Sequence, residues 1–255
     1  MEITELKTFL DEQHEKYNVP GFIPNDPISI PHRFDRKEDI EIAGFLTATI
    51  AWGNRNSIIN NADKLLKWMG DAPHEFILSS SEADFIAFER FVHRTFNGTD
   101  AIFFLKSLQH IYVKHGGLES VFTLGYKNEK NLMGALIHFR STFLELPHLH
   151  RTEKHVANVL KNSSAKRLCM FLRWMVRNDN RGVDFGLWKG IPASALMLPL
   201  DVHTGNVSRQ LGLLTRKQND WQAVEEVTAN LRGMDPFDPV KYDLALFGLG
   251  VNNII

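Results

Sequence analysis

Apolar residues recur at intervals of three and four along most of the chain, and this helical spacing constrains the fold more than any other feature. Leu6, Phe9 and Leu10 form one face of a first helix. A second helix begins near Asp39, which is placed to cap it, and carries Ile42, Phe45, Leu46 and Ile50. Gly53 and Asn54 interrupt the pattern. A third helix then runs from about Asn56 to Met69, and the Gly70-Asp71-Ala72-Pro73 run ends it. Further helices are expected around 82–91, 99–114, 117–123 and 130–145. Residues 18–38 hold Pro20, Gly21, Pro24, Pro27 and Pro31 and read as an extended connection. No strand pair and no internal repeat is expected. The fold class is all-α, in two helical lobes. The first lobe spans roughly 39–150, and the second spans 151–255 with the N-terminal residues packed on it.

Composition narrows the function classes. The net charge of −1 gives no global basic field, so a nucleic-acid partner would need a local patch. Cys169 is the single cysteine. It excludes an intramolecular disulfide and a four-cysteine zinc or iron–sulfur site, and it fits a reducing cytoplasm. Met1 to Leu10 lacks the apolar core of a signal peptide. No apolar run approaches the roughly 20 residues that cross a bilayer. A cytoplasmic monomer without membrane contact is the expectation. No cofactor is expected either. His148, His150 and His155 read as ordinary loop histidines, so no metal site is expected.

From Arg151 the charge changes sign. Residues 151–181 hold eight Lys or Arg against only Glu153 and Asp179. The excess is either a solvated face balanced by distant acids or a phosphate-binding surface. Helices are expected over 164–177 and from just after Asp201, with a Gly- and Pro-rich loop between them. A helix near 220–232, a turn at Asp235–Pro239 and a helix from about Val240 follow.

The sharpest local feature is Leu198-Pro199-Leu200-Asp201-Val202-His203-Thr204-Gly205-Asn206-Val207-Ser208-Arg209-Gln210-Leu211-Gly212-Leu213. An extended apolar segment delivers Asp201 to the start of a helix whose buried stripe is Val207, Leu211 and Val202. Free amides and the positive end of the helix dipole favour an anion there. On physics alone, Asp201 is either an N-cap or a functional carboxylate.

This segment resembles the helix-hairpin-helix DNA glycosylase superfamily (8-oxoguanine glycosylase and endonuclease III-like folds). In that superfamily a proline or valine precedes Asp, a short residue and His, before a helix ending in Arg-x-Leu-Gly-Leu. The resemblance implies that Asp201 is the catalytic aspartate. It also implies that Lys166, opening the helix after Ser163-Ser164-Ala165, is the lyase-type lysine. Lys189, twelve residues before Asp201, is the rival nucleophile. Lys161-Asn162-Ser163-Ser164 stands where the superfamily usually has Leu-Pro-Gly-Val-Gly. By the same resemblance the DNA-contacting residues are Asn54 and Arg55 in the early helix–turn–helix, then Ser163, Ser164, Arg167, Arg173 and His203. Tyr242 to Gly250 is similar to the penultimate helix, and no cluster cysteines follow it. Nearly the whole chain resembles a bacterial family of uncharacterised proteins related to these glycosylases, marked by the Lys166–Arg177 and Asp184–Trp188 blocks.

The implied function is a DNA base-excision glycosylase acting on a damaged base in duplex DNA, with AP-lyase activity as an additional option. The target base would leave the stack to reach the site. One alternative is a non-catalytic nucleic-acid-binding protein that keeps the fold. Another is an RNA-directed protein.

Overall fold

The computed structural model describes residues 2–252 and 254. Helices dominate, and the chain divides into two compact units: Met1–Ile23 with Asn158–Ile255, and Pro24–Ala157. No helix among the described residues is long and apolar enough to cross a membrane.

The first unit begins with α1 (Ile3–Tyr17), which buries Leu6, Leu10 and His14. The second unit holds α2 (Lys37–Thr49), α3 (Arg55–Trp68), α4 (Pro73–Ser79), the short α5 (Glu82–Phe85), strands β1 (Val92–His93) and β2 (Phe96–Asn97), α6 (Gly98–Lys114), α7 (Leu118–Glu129) and α8 (Leu132–Phe143). Its core is aromatic. Phe45 of α2 stacks on Phe104 of α6 at 5.9 Å, and Phe143 meets Phe45 and Phe104 at 5.4 and 4.7 Å. Offset and edge-on rings at these distances add to the burial of their area. Helices α7 and α8 pack so closely that a Cβ on Gly125 would lie 2.9 Å from the Gly134 carbonyl oxygen. Only glycine permits that approach.

Four local expectations change here. Residues 20–33 form three short 3-10 helices, Pro20–Asn25, Pro27–Ser29 and Pro31–Arg33, rather than an extended connection. The prolines supply the helical φ that such turns need. Asp39 lies inside α2 and does not cap it. Its Oδ1 accepts from the His74 amide at 2.8 Å, in the first turn of α4, a helix the periodicity does not reveal. Strands β1 and β2 pair antiparallel, Val92 with Asn97 and His93 with Phe96. Two residues per strand are too few to show alternation in sequence.

The first unit continues with α9 (Lys166–Val176), α10 (Val202–Gln210), α11 (Trp221–Met234) and α12 (Asp243–Val251). The α9 helix buries eight residues from Leu168 to Val176 except Met170. The loop after it folds back on its C-terminal end: Phe185 and Trp188 amides donate to the Trp174 and Met175 carbonyls at 2.8 and 2.9 Å. The α12 helix is the hub. A Cβ on Gly248 would meet the Tyr17 ring at 2.5 Å, and one on Gly250 would meet His203 Cβ at 3.0 Å. Both α1 and α10 therefore lie against it.

Candidate active site

Asp201 is the N-cap of α10, as an extended segment entering a helix start requires. Its Oδ1 accepts from the Thr204 amide at 3.0 Å, and the Asp201 amide donates to Thr204 Oγ1 at 2.8 Å. Its carbonyl accepts from the Gly205 amide and from Asn219 Nδ2, both at 2.9 Å. The backbone and one carboxylate oxygen are thus held. The other oxygen, Oδ2, faces Lys166 Nζ at 3.9 Å. Both side chains are partly open to solvent. Within the α10 stripe, Val207 is buried and Leu211 half-buried. Val202 is not part of it: 66% of its surface is exposed, beside Asp201 at the helix start.

Lys166 opens α9. The expected start at residue 164 shifts by two residues, because Ala165 adopts a left-handed conformation with φ 50° and acts as N-cap. Asn162 is also left-handed, at 62°. Ser163 and Ser164 therefore sit in the turn before the helix, not in its first turn. Ser163 Oγ accepts from the Ala165 amide at 3.3 Å, and Ser163 pairs with Asp220 in an isolated antiparallel bridge. Asn162 Nδ2 donates to Asp220 Oδ2 at 3.0 Å. The Arg216 side chain, helped by the Ala223 amide and opposed by burial, holds the Asp220 carboxyl down at about 2. The turn preceding Lys166 is thus tied to the start of α11.

A third charged group completes the site, and motif reading does not include it. Asp243, on the first turn of α12, is buried and bonded to Arg173 Nη1. Burial raises its carboxyl to about 6 against the pull of Arg173. The charge of Asp201 adds to the rise, and that of Lys166 opposes it. The sequence signal for Asp243 is an acid opening the run Leu244-Ala245-Leu246-Phe247, where a lone carboxylate must be paired or neutralised.

Arg173, expected among the DNA-contacting residues, is turned inward onto carboxylates. It is 4% exposed, and its Nε donates to Asp184 Oδ1 at 3.1 Å while Nη1 holds Asp243. Arg177, also buried, reaches Asp184 at 3.1 Å, Asp238 at 2.8 Å and Asp179 at 2.9 Å. Two guanidiniums thus face four carboxylates, which is why burial of Asp238 and Asp243 is not fully offset and both carboxyls lie above their ordinary value. Arg181 pairs with Glu15 at 2.5 Å, and Arg151 with Asp100 at 2.8 Å. Much of the positive excess of 151–181 is spent on acids from other stretches. Lys161 is exposed, and Lys166 and Arg167 are half-buried. Burial brings the Arg167 guanidinium down to about 10, still charged at neutral pH. Lys189 is exposed and donates to the Gly186 carbonyl at 2.6 Å, within its own loop. His203 is exposed on α10, with its ring 6.2 Å from that of Phe247.

Asn54 and Arg55 belong to the other unit. Asn54 caps α3, accepting from the Ser57 amide at 3.1 Å, and Arg55 is half-buried in the first turn. The preceding Gly53 has φ 101°, and Arg94 lies across it, 2.9 Å from where a Cβ would stand. His93 Nε2 contacts the Trp52 carbonyl at 3.2 Å, so the β1–β2 hairpin braces this turn. Trp52 is half-buried between the rings of His93 and His155.

Chemically, the first unit offers an amine beside two carboxylates of different character. One carboxylate is partly exposed and held at a helix start, and the other is buried, with its carboxyl raised to about 6. This set suits nucleophilic or proton-transfer chemistry rather than metal binding. Comparison with curated proteins and with solved structures gives no match. A family match does cover residues 26–252, and with it α9, α10 and α12, so the chain belongs to the family described as "Protein of unknown function (DUF2400)".

Proposed function

We propose that the chain is a DNA base-excision glycosylase with lyase capacity, in which Lys166 and Asp201 act on the deoxyribose of an extruded nucleotide. The observation that carries this reading is the pairing of Lys166 Nζ with Asp201 Oδ2 at 3.9 Å, while Oδ1 is fixed by Thr204. Asp201 Oδ2 takes a proton from the ammonium. The neutral amine attacks the anomeric carbon as the bond from that carbon to the base breaks. The base leaves with the bonding pair and takes up the proton that Asp201 received, which returns Asp201 to its ionised form. The carboxylate faces the positive charge that develops on the sugar. The resemblance to helix-hairpin-helix glycosylases supports the choice of DNA and of a damaged base. Lys161, Lys166 and Arg167 supply the local cations, so binding weakens as salt rises.

A second reading, a nucleic-acid-binding protein without chemistry, is favoured by one observation: Asp201 already has a structural duty, as the N-cap of α10 through Oδ1. Single-turnover base release from duplexes carrying oxidised, deaminated or alkylated bases separates the two. Release by the wild type that is lost in Asp201→Asn, with duplex affinity retained, supports the enzyme. Duplex binding with no release from any of these substrates overturns it in favour of the binder.

A further inference from the structure

The second unit holds a group of side chains that the site above does not use. His110 lies just before the last turn of α6, His115 is the C-cap of that helix, and Glu145 follows the C-cap of α8. His110 Nε2 is 2.7 Å from Glu145 Oε2, His115 Nε2 is 3.3 Å from the same oxygen, and the two Nε2 atoms are 3.3 Å apart. We propose that His110, His115 and Glu145 form a binding site for a divalent zinc-class ion.

Three features of the geometry point to a cation. First, both ring nitrogens converge on one carboxylate oxygen. Two N–H groups aimed there would stand head to head, whereas a metal ion uses both nitrogen lone pairs and the oxygen together. Second, the triangle has the right size. Zinc bonds imidazole nitrogen and carboxylate oxygen at about 2.0–2.1 Å. A point about 2.05 Å from all three atoms lies about 1 Å off their plane. The open side of that plane leaves room for water, as the partial exposure of all three side chains requires. Third, the ends of α6 and α8 meet here. Helix C-termini carry partial negative charge and unpaired carbonyls, which favour a cation.

The donors are also placed firmly. The His115 amide donates to the Ile111 carbonyl at 2.9 Å, and the Gly117 amide bonds the same carbonyl at 3.2 Å. The Glu145 amide donates to the Thr142 carbonyl at 3.3 Å. Two imidazoles and one carboxylate favour zinc, cobalt or nickel over the all-oxygen preferences of magnesium and calcium. A bound ion would tie the end of α6 to the end of α8. This inference is independent of the glycosylase reading, because none of the three residues enters it. His148, His150 and His155, the histidines conspicuous in sequence, are a separate group. His155 is buried 3.3 Å from Asp100, and His148 Nδ1 lies 2.7 Å from the Leu146 carbonyl.

The test is titration of the tag-free, chelator-treated full chain with Zn2+ by calorimetry and with Co2+ by visible absorption. The expected result is one equivalent bound with micromolar or tighter affinity, and a thermal transition that rises with Zn2+. His110→Asn, His115→Asn and Glu145→Gln should each weaken binding by at least about tenfold. The His110→Asn/His115→Asn pair should abolish it and the thermal shift, while its metal-free transition stays at the wild-type value. His148→Asn should change nothing. Absence of saturable uptake by the wild type overturns the proposal. So does uptake unchanged in the double variant, which would place the ion on other histidines.

Discussion

Lys166 Nζ stands 3.9 Å from Asp201 Oδ2, while the other oxygen of the same carboxylate accepts from the Thr204 amide. The two oxygens therefore have separable duties, one structural and one facing the amine. Asparagine caps a helix about as well as aspartate but carries no charge. Asp201→Asn should keep the stability of the wild type within about 0.5 kcal/mol and lose base release by about a hundredfold or more. Asp201→Ala should lose both, with about 1 kcal/mol of stability gone with the cap. Urea melts and single-turnover assays on the two variants check this.

Arg173 sits in the middle of a basic stretch, yet its partners are Asp184 and Asp243. Removing a buried cation strands both carboxylates. Arg173→Met should cost about 3–5 kcal/mol in urea unfolding. Arg167→Met, at a half-buried position, should cost far less and should reduce the salt dependence of duplex binding. An Arg173→Met variant of wild-type stability with weakened DNA binding would return Arg173 to the nucleic-acid surface.

Asp243 gives the fold a specific pH response. Its carboxyl is near 6 when folded against an ordinary 3.8, so the folded state binds the proton more tightly between those values. The stability it contributes is fully present below 3.8 and lost as pH rises through about 6. His14 acts oppositely. Burial first, and Arg177 second, push it down to about 4, so its contribution is lost as pH falls from 6.5 through that value. Comparing the wild type with Asp243→Asn cancels the His14 effect. On going from pH 7 to pH 4, the wild type should gain up to about 3 kcal/mol relative to the variant. Denaturant midpoints across that range measure it, and a pH-independent difference would contradict the assignment.

The contact between α7 and α8 allows a test in the second unit. A Cβ on Gly125 would approach His138 Cβ to 2.6 Å and the backbone of Ala135 and Gly134 to 2.9 Å. Gly125→Ala should destabilise by about 1–3 kcal/mol, although alanine is the better helix former. Gly233 lies in α11 with nothing near its absent Cβ, and Gly233→Ala should instead stabilise slightly.

Much of this arrangement is legible in the residues themselves. Period-3.6 patterning places most of the helices, since long apolar faces leave a strong trace. The setting of Asp201 at a helix start is readable because caps are local. What stays hidden depends on contacts distant in sequence. Arg173 resembles a surface cation because its acids stand 11 and 70 positions away. Asp243 joins Lys166 and Asp201 only when α9, α10 and α12 pack. His110, His115 and Glu145 converge because two helix ends meet, although Glu145 stands 35 positions after His110. Strands β1 and β2 are too short to leave a pattern, and Val202 continues the apolar spacing of α10 although it faces solvent.

The most direct measurement is borohydride trapping on DNA with an abasic site, followed by mapping of the adduct to a peptide. A covalent adduct on Lys166 that disappears in Lys166→Gln and persists in Lys189→Gln is the expected result. An adduct on Lys189, or none in a protein that binds the same duplex, would contradict the assignment of Lys166 and Asp201 to one reaction centre.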